Sequence, residues 1–288
     1  MKICALTMVY KDYWALSQWY RHHGRQVGVE NLFVVAHGAD PRIGEICPGA
    51  SVITVPRDGF DHFDRRRGAA LNAFQAGLLQ SYDWVIRTDA DELICHDPHR
   101  YESLADAIAA HAGAPVLTAL GFDLVEQPGD PQTDEGSVFT ARRHAAFSGH
   151  YSKAFAICRP LDLMLHGVRV SPRRLQGFPF AMPPGVYLAH LKYANISALY
   201  DANLIREQVG RSGDAGAPGS GWSAATADAS AFLARFADKR ELPWPQAEAR
   251  AYDRLSVNPA RLEKSGIVKT RALKFDFRTR LCDRFLTL

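Results

Sequence analysis

Three acids fall within four positions, Asp89, Asp91 and Glu92. Carboxylates this close repel and shift each other's pKa unless a cation or strong hydrogen-bond donors lie among them. In an extended chain, side chains two apart point to one side, so Asp89 and Asp91 are placed to share a cation. Oxygen ligands of this kind suit Mg²⁺ or Mn²⁺ rather than a soft metal. A solvated acidic loop is the bland alternative, and D-x-D alone has little specificity.

The elements before the cluster decide where it sits. Residues 84–86, Trp-Val-Ile, read as a short apolar strand ending in the acids. Residues 3–9 read as a first strand, residues 31–36 as a second and residues 51–55 as a third. The continuous apolar run at 31–36 suits a central parallel strand covered on both faces. Trp14, Trp19 and Tyr20 recur at helical spacing after Asp12, a potential cap. Residues 64–80 form a second helical pattern with Ala69, Ala70, Ala73, Phe74 and Leu78 as its apolar positions. Alternating strands and helices predict a parallel α/β sheet. Ligands collect at the carboxyl ends of such strands, where the acids lie. The helix at 64–80 also opens with Arg65, Arg66 and Arg67. Basic residues there oppose the helix dipole; a phosphate-rich ligand or plain solvation offsets the cost.

Composition bounds the function. The 288 residues are 47% hydrophobic and 23% charged, ordinary for a globular protein. A net charge of +3 is too small to argue for nucleic acid. No apolar run approaches a membrane span. The five cysteines are scattered without a C-x-x-C pair, which favours free thiols in a reducing cytoplasm over zinc or disulfides.

Further on, residues 101–112 read as an Ala-rich helix and 116–120 as a strand. Residues 126–149 read as a long polar loop. Three strand-like runs follow at 154–158, 163–167 and 186–191. A helix at 195–209 is expected to turn Ile196, Leu199, Leu204 and Ile205 inward. Residues 211–223, rich in Gly, Ser and Pro, read as a linker, and the remainder as helical. The division is thus 1–212 for a main domain and 213–288 for a linker and helical extension. Residues 269–288 mix basic and apolar side chains. They can lie on an anionic membrane surface or form a docked terminal helix.

The order of these features resembles a family 2-like glycosyltransferase of the GT-A fold. The residues that carry the resemblance are Tyr10-Lys-Asp-Tyr13, Trp19-Tyr-Arg-His22, Asn72, Tyr82-Asp-Trp-Val leading to Asp89-Ala-Asp-Glu92, Ser152-Lys153, His166-Gly167 and His190-Leu-Lys-Tyr193. They span roughly residues 1–210; the rest matches no named pattern. The resemblance implies a Rossmann-like, mostly parallel mixed sheet, a nucleotide-sugar donor (UDP-linked by expectation) and Mn²⁺ or Mg²⁺. It implies Asp91 as direct metal ligand. Asp89 would hold the donor ribose, or the metal through water. Glu92 would order the loop or touch the donor sugar. His190 is the first choice for a third ligand and His166 the second; either can instead be an ordinary half-buried histidine. Lys153, with Arg65 and Arg67 as weaker choices, would meet phosphates. Thr7, Val9, Tyr10 and Asp40 would lie near the nucleotide.

An inverting transfer also needs a base for the acceptor hydroxyl. The Glu-Asp pair usual in that family is missing. Among Asp123, Glu126, Asp134 and Glu135, Asp123 is the best placed. The expected acceptor is a glycan or a lipid-linked glycan, as in surface polysaccharide synthesis. A metal-dependent nucleotidyltransferase or phosphohydrolase would use the same carboxylates, but the first lacks its glycine-rich loop after strand one. A non-catalytic sugar-binding module on the same fold is the third alternative.

Overall fold

The apolar runs at 3–9 and 31–36 become central strands of a parallel sheet and are largely buried, whereas the run at 51–55 becomes its exposed edge strand. The structure, a computed structural model, describes residues 1–133 and 136–287; Asp134 and Glu135, weighed above as bases, lie outside them. The first third alternates strand and helix: β1 (Ile3–Val9), α1 (Tyr13–Val27), β2 (Leu32–His37), α2 (Pro41–Ile46), β3 (Ser51–Val55), α3 (Phe63–Leu78) and β4 (Trp84–Arg87). Then come β5 (Glu92–His96) and α4 (Leu104–Ala109), shorter than the helix expected there.

The middle third holds β6 (Val116–Thr118), β7 (Leu120–Val125), α5 (Val138–Ala141), β8 (His144–Phe147), β9 (Ala154–Ile157), β10 (Asp162–Met164), β11 (Gly167–Arg169), α6 (Pro172–Leu175) and β12 (Val186–Tyr193). The loop expected at 126–149 therefore contains α5 and β8. The run at 163–167 is a tight hairpin, with Leu165 and His166 both at positive φ in its turn. The last third holds α7 (Ile196–Gly210), α8 (Ser220–Ser223), α9 (Ala225–Ala237), β13 (Arg240–Leu242), α10 (Trp244–Leu255), β14 (Ala260–Leu262), β15 (Ile267–Lys269) and β16 (Phe277–Arg280).

Two six-stranded sheets result. The first has the order β3-β2-β1-β4-β9-β6, parallel through its first four strands and antiparallel at β9 and β6. The second has the order β13-β16-β8-β7-β12-β5, with β7 and β12 parallel. A small antiparallel sheet, β10-β11-β15-β14, stands beside them. This is a mixed α/β architecture flanked by helices, consistent with the GT-A type; its first sheet is Rossmann-like in its four adjacent parallel strands, but antiparallel pairings prevail elsewhere, against the mostly parallel sheet expected. The main core brings together strands of both six-stranded sheets with α1, α4 and α10. No helix among the described residues is long and apolar enough to cross a membrane. None of the five cysteines is disulfide-bonded.

The end of the chain departs from the helical expectation. Its helices are α9 and α10, but the strands after residue 212 join sheets begun earlier: β16 pairs with β8 and β15 with β11. Residues 275–281 alternate strictly, with Phe275, Phe277, Thr279 and Leu281 buried and Asp276 and Arg280 exposed. That is the period of a strand, not of a helix. Phe275, Phe277, Leu281 and Phe285, apolar side chains of the segment that would have met a membrane, are thus in the core. Arg278 and Arg284 are paired with Glu241 and Asp97. On α7, Leu204 is 68% exposed, contrary to expectation. Leu199 faces inward as expected, together with Asn203 and Val209.

Candidate active site

The acidic residues form the crossover between the two large sheets. β4 belongs to the first and β5 to the second. Between them the chain turns, with the Glu92 N–H donating to the Asp89 carbonyl at 3.1 Å. The extended geometry expected for Asp89 and Asp91 is therefore replaced by a turn, and the two carboxylates meet different partners. Helix α1 holds this turn from behind. The Trp19 indole donates to Thr88 Oγ1 at 2.8 Å, and His22 Nε2 donates to the Ile94 carbonyl at 2.7 Å. His23 adds a contact to the Ile94 N–H. The Trp-x-x-His pattern is thus a clamp on both sides of residues 89–92.

Asp89 faces cations. Arg67 from the first turn of α3 donates to its Oδ1, and Lys153 Nζ lies 3.1 Å from its Oδ2. Lys153 also pairs with Glu92 at 2.6 Å, while Glu92 accepts the Asp89 N–H at 3.0 Å. Burial opposes ionisation of Asp89, but Lys153 and Arg67 hold it well below the usual carboxylate range. Burial raises Glu92, and the charge of Lys153 works against that rise.

Asp91 faces the second sheet. His190 on β12 brings Nε2 to 3.5 Å from Asp91 Oδ2, and Arg206 on α7 lies 3.2 Å from the same oxygen. On its other side, His190 Nδ1 donates to Asp123 Oδ1 at 2.6 Å. β7 and β12 run side by side with Asp123 opposite His190, which fixes this pair. Tyr151 stacks on the imidazole, ring centroids 3.6 Å apart. It gets there because Gly121 has no side chain: a Cβ would lie 2.2 Å from the Tyr151 carbonyl carbon. Burial works against a charged His190, but its bonds to Asp123 and Asp91 lift its pKa to about 9. Burial opposes ionisation of Asp91, yet His190 and Arg206 bring it down to about 2. Asp12 lies in the same field; burial and the charge of Asp91 push it up to about 6.

One ligand atom each from Asp91, Glu92 and His190 lies within 4.8 Å of the others. Two carboxylate oxygens and one imidazole nitrogen form a set that fits a divalent cation such as Mn²⁺. Asp89 is not in that set. Neither is His166, whose Nδ1 is 2.5 Å from the His150 carbonyl and whose ring lies against that of His150.

These residues line a cleft of about 1820 Å³, larger than the few hundred to ~1,000 Å³ of a typical small-molecule site. Its walls divide at the acidic turn. On one side stand the ends of β1 and β2, helix α3 and the β10–β11 hairpin; on the other, β7, β8, β12, α9 and residues 272–276. Val9, Tyr10, Arg65, Arg67, Lys153 and His166 all line it. Thr7 does not: its side chain is fully buried within the sheet. Asp40 does not either; it caps α2 and accepts from Tyr13 Oη at 2.8 Å. Glu126 is used structurally, paired with buried Arg142 and accepting from the N-terminus of α7.

Several lining residues escape sequence reasoning. Asp12 reads as a helix cap but makes no side-chain capping bond and lines the cleft instead. Arg206 lies on the face of α7 marked by Leu199 and Asn203, a spacing visible only once Leu204 is set aside. Arg57 stacks over the Tyr10 ring at 3.7 Å and donates toward His37, placing a guanidinium among aromatic rings. Trp222, inside the stretch read as a linker, packs on Phe63 at the cleft wall. Tyr151 has no distinguishing sequence signal.

No protein-family model matches the chain, and no curated protein matches it. Among solved structures, a cytidylyltransferase from Leptospira borgpetersenii serovar Hardjo-bovis is 17% identical, with 41% of this chain and 54% of that chain covered at a TM-score of 0.27. A mannose-1-phosphate geranyltransferase from Thermus thermophilus is 14% identical, covering 72% and 62% at a TM-score of 0.30. A CMP:2-keto-3-deoxy-manno-octonic acid synthetase complexed with CTP is also 14% identical, covering 82% and 99% at a TM-score of 0.31. The chain spans only about half the length of the cytidylyltransferase. Likenesses this weak carry no argument about chemistry, and no family match accompanies the resemblance to family 2 glycosyltransferases.

Proposed function

We propose that the protein is a metal-dependent glycosyltransferase that moves a sugar from a nucleoside-diphosphate sugar to a hydroxyl of a glycan or lipid-linked acceptor. The observation that carries this is the convergence of Asp91, Glu92 and His190 at the middle of a two-sided cleft. Asp91 and His190, with Glu92, would hold Mn²⁺ or Mg²⁺. Bound there, the cation supplies Lewis-acid stabilisation of the departing diphosphate. Arg67 and Lys153 stand beside the site as phosphate partners, held in place by Asp89. Tyr10, Arg57 and His37 form the wall for the nucleoside. Asp123 is kept as the base for the acceptor hydroxyl: it lines the cleft beside His190, whereas Glu126 is fully engaged elsewhere. UDP is the nucleotide to try first.

Nucleotidyl transfer from a nucleoside triphosphate to a sugar phosphate is the second reading. It uses the same carboxylates. Against it, β1 enters α1 through Tyr10-Lys-Asp12, without a glycine-rich phosphate loop. Incubation with Mn²⁺ and a panel of nucleotide sugars, or with CTP or UTP and sugar 1-phosphates, separates the two. Sugar transfer or donor hydrolysis supports the first; pyrophosphate release from the triphosphate supports the second. Neither reaction, with no nucleotide bound, leaves a non-catalytic sugar-binding module.

A further inference from the structure

Arg57, Arg65, Arg87 and Arg169 line the cleft on the side of α3 and the β10–β11 hairpin; its other cations fall into two sets. Those at the acidic turn are already paired: Arg67 and Lys153 with Asp89 and Glu92, and Arg206 with Asp91. On the β7–β12 side stand Lys192, Arg235, Lys239 and Lys274, and among the described residues none of them forms an ion pair. They come from separate elements, β12, α9, the turn after α9 and the strand-like segment before β16, and converge on one lobe. Asp228 and Asp276 line the same lobe, and among the described residues neither makes an ion pair. Lys239 Nζ is held by the Phe275 carbonyl, and Lys192 Nζ lies 5.3 Å from the centre of the Tyr193 ring. Both ammonium groups are partly buried. Burial lowers the pKa of Lys239, and the nearby charge of Asp276 offsets only part of that. Phe232 stacks on Tyr193 at 3.8 Å and lines the lobe beside the cations.

We propose that this lobe binds an anionic group carried by the acceptor, a phosphate or a carboxylate attached to a sugar or alkyl body. The inference rests on the glycosyl-transfer reading for the word acceptor; the anion site itself rests only on the four cations. It gives Lys274, part of the basic C-terminal stretch, a role inside the cleft rather than at a membrane surface. Asp123 lies at the boundary between this lobe and the acidic turn, so a hydroxyl near the bound anion would lie within reach of it.

The test is calorimetric titration of the full chain, with UDP and Mn²⁺ present, using octyl phosphate, sodium glucuronate and neutral octyl glucoside as probes. At least one anionic probe is expected to bind about tenfold or more tightly than the glucoside, with affinity falling as salt rises. The double substitution Arg235→Gln with Lys274→Gln removes two exposed charges and should weaken that binding by about tenfold. The UDP and Mn²⁺ affinities should stay unchanged. Binding of octyl phosphate alone identifies a phosphate-bearing acceptor; binding of glucuronate alone identifies an acidic sugar. Equal binding of charged and neutral probes, or no response to the double substitution, overturns the proposal. If UDP and Mn²⁺ bind but no anionic probe does, the anion site falls and glycosyl transfer stands. If an anionic probe binds and responds to the substitutions without any UDP binding, the anion site stands and the glycosyl-transfer reading falls.

Discussion

The indole N–H of Trp19 donates to Thr88 Oγ1 at 2.8 Å, one residue ahead of Asp89. Both groups are buried, so the bond fixes where the acidic turn leaves β4. Trp19→Phe should destabilise the fold by about 1–3 kcal/mol, because a buried hydroxyl loses its partner. It should also weaken Mn²⁺ binding by loosening the turn. Urea unfolding and metal titration of the same variant check the two effects; unchanged metal affinity would reduce the clamp to a packing contact.

His22 supplies a pH-dependent term far from the cleft chemistry. Burial lowers its pKa from 6.5 to about 4 in the fold. As pH falls through 6.5, the unfolded chain takes up the proton first. Stability present above pH 6.5 is therefore lost progressively down to about pH 4, by about 3 kcal/mol for this group. His22→Gln keeps a donor for the Ile94 carbonyl and should flatten that slope. Urea midpoints between pH 7 and pH 4 decide this.

Gly121 is required by the close approach of residue 151. With backbone atoms at 2.2 Å from the position of its missing Cβ, Gly121→Ala must displace the 151–152 segment. A cost of about 1–3 kcal/mol is expected, as for other overpacked sites. Tyr151 should also move off His190, so transfer should fall more than thermal stability alone explains. Thermal denaturation and turnover compared with wild type test it.

Asp123 is asked to do two things, to orient His190 and to take the acceptor proton. Asp123→Asn should lower transfer by roughly a hundredfold or more while UDP still binds at saturating Mn²⁺. A loss confined to Mn²⁺ affinity, with turnover restored by excess metal, would leave it only the orienting role.

Much of the fold was readable because it rests on burial patterns. The runs at 3–9 and 31–36 are apolar apart from Thr7 and Asn31, and both give central parallel strands. At the C-terminus the basic and apolar content suggests an amphipathic helix, whereas the alternation from Phe275 to Leu281 is that of a strand. The site was legible only in part. Residues 89–92 stand out in sequence, but the turn that parts Asp89 from Asp91 depends on β5 joining a different sheet. Arg206, Tyr151 and Arg57 reach the cleft through tertiary packing that no local spacing encodes. Thr7, towards the end of the first strand, and Asp40, in the turn after the second, are expected near the nucleotide, yet one is buried in the sheet and the other caps a helix.

The central claim is that Asp91 and His190 hold a divalent cation that bridges to a nucleoside diphosphate. Isothermal titration with UDP, with and without Mn²⁺, tests it on the wild type and on Asp91→Asn. Mn²⁺ is expected to tighten UDP by at least about tenfold in the wild type, and the substitution should abolish that gain while leaving the fold intact. UDP affinity that ignores Mn²⁺, or tightening that survives Asp91→Asn, would contradict the account.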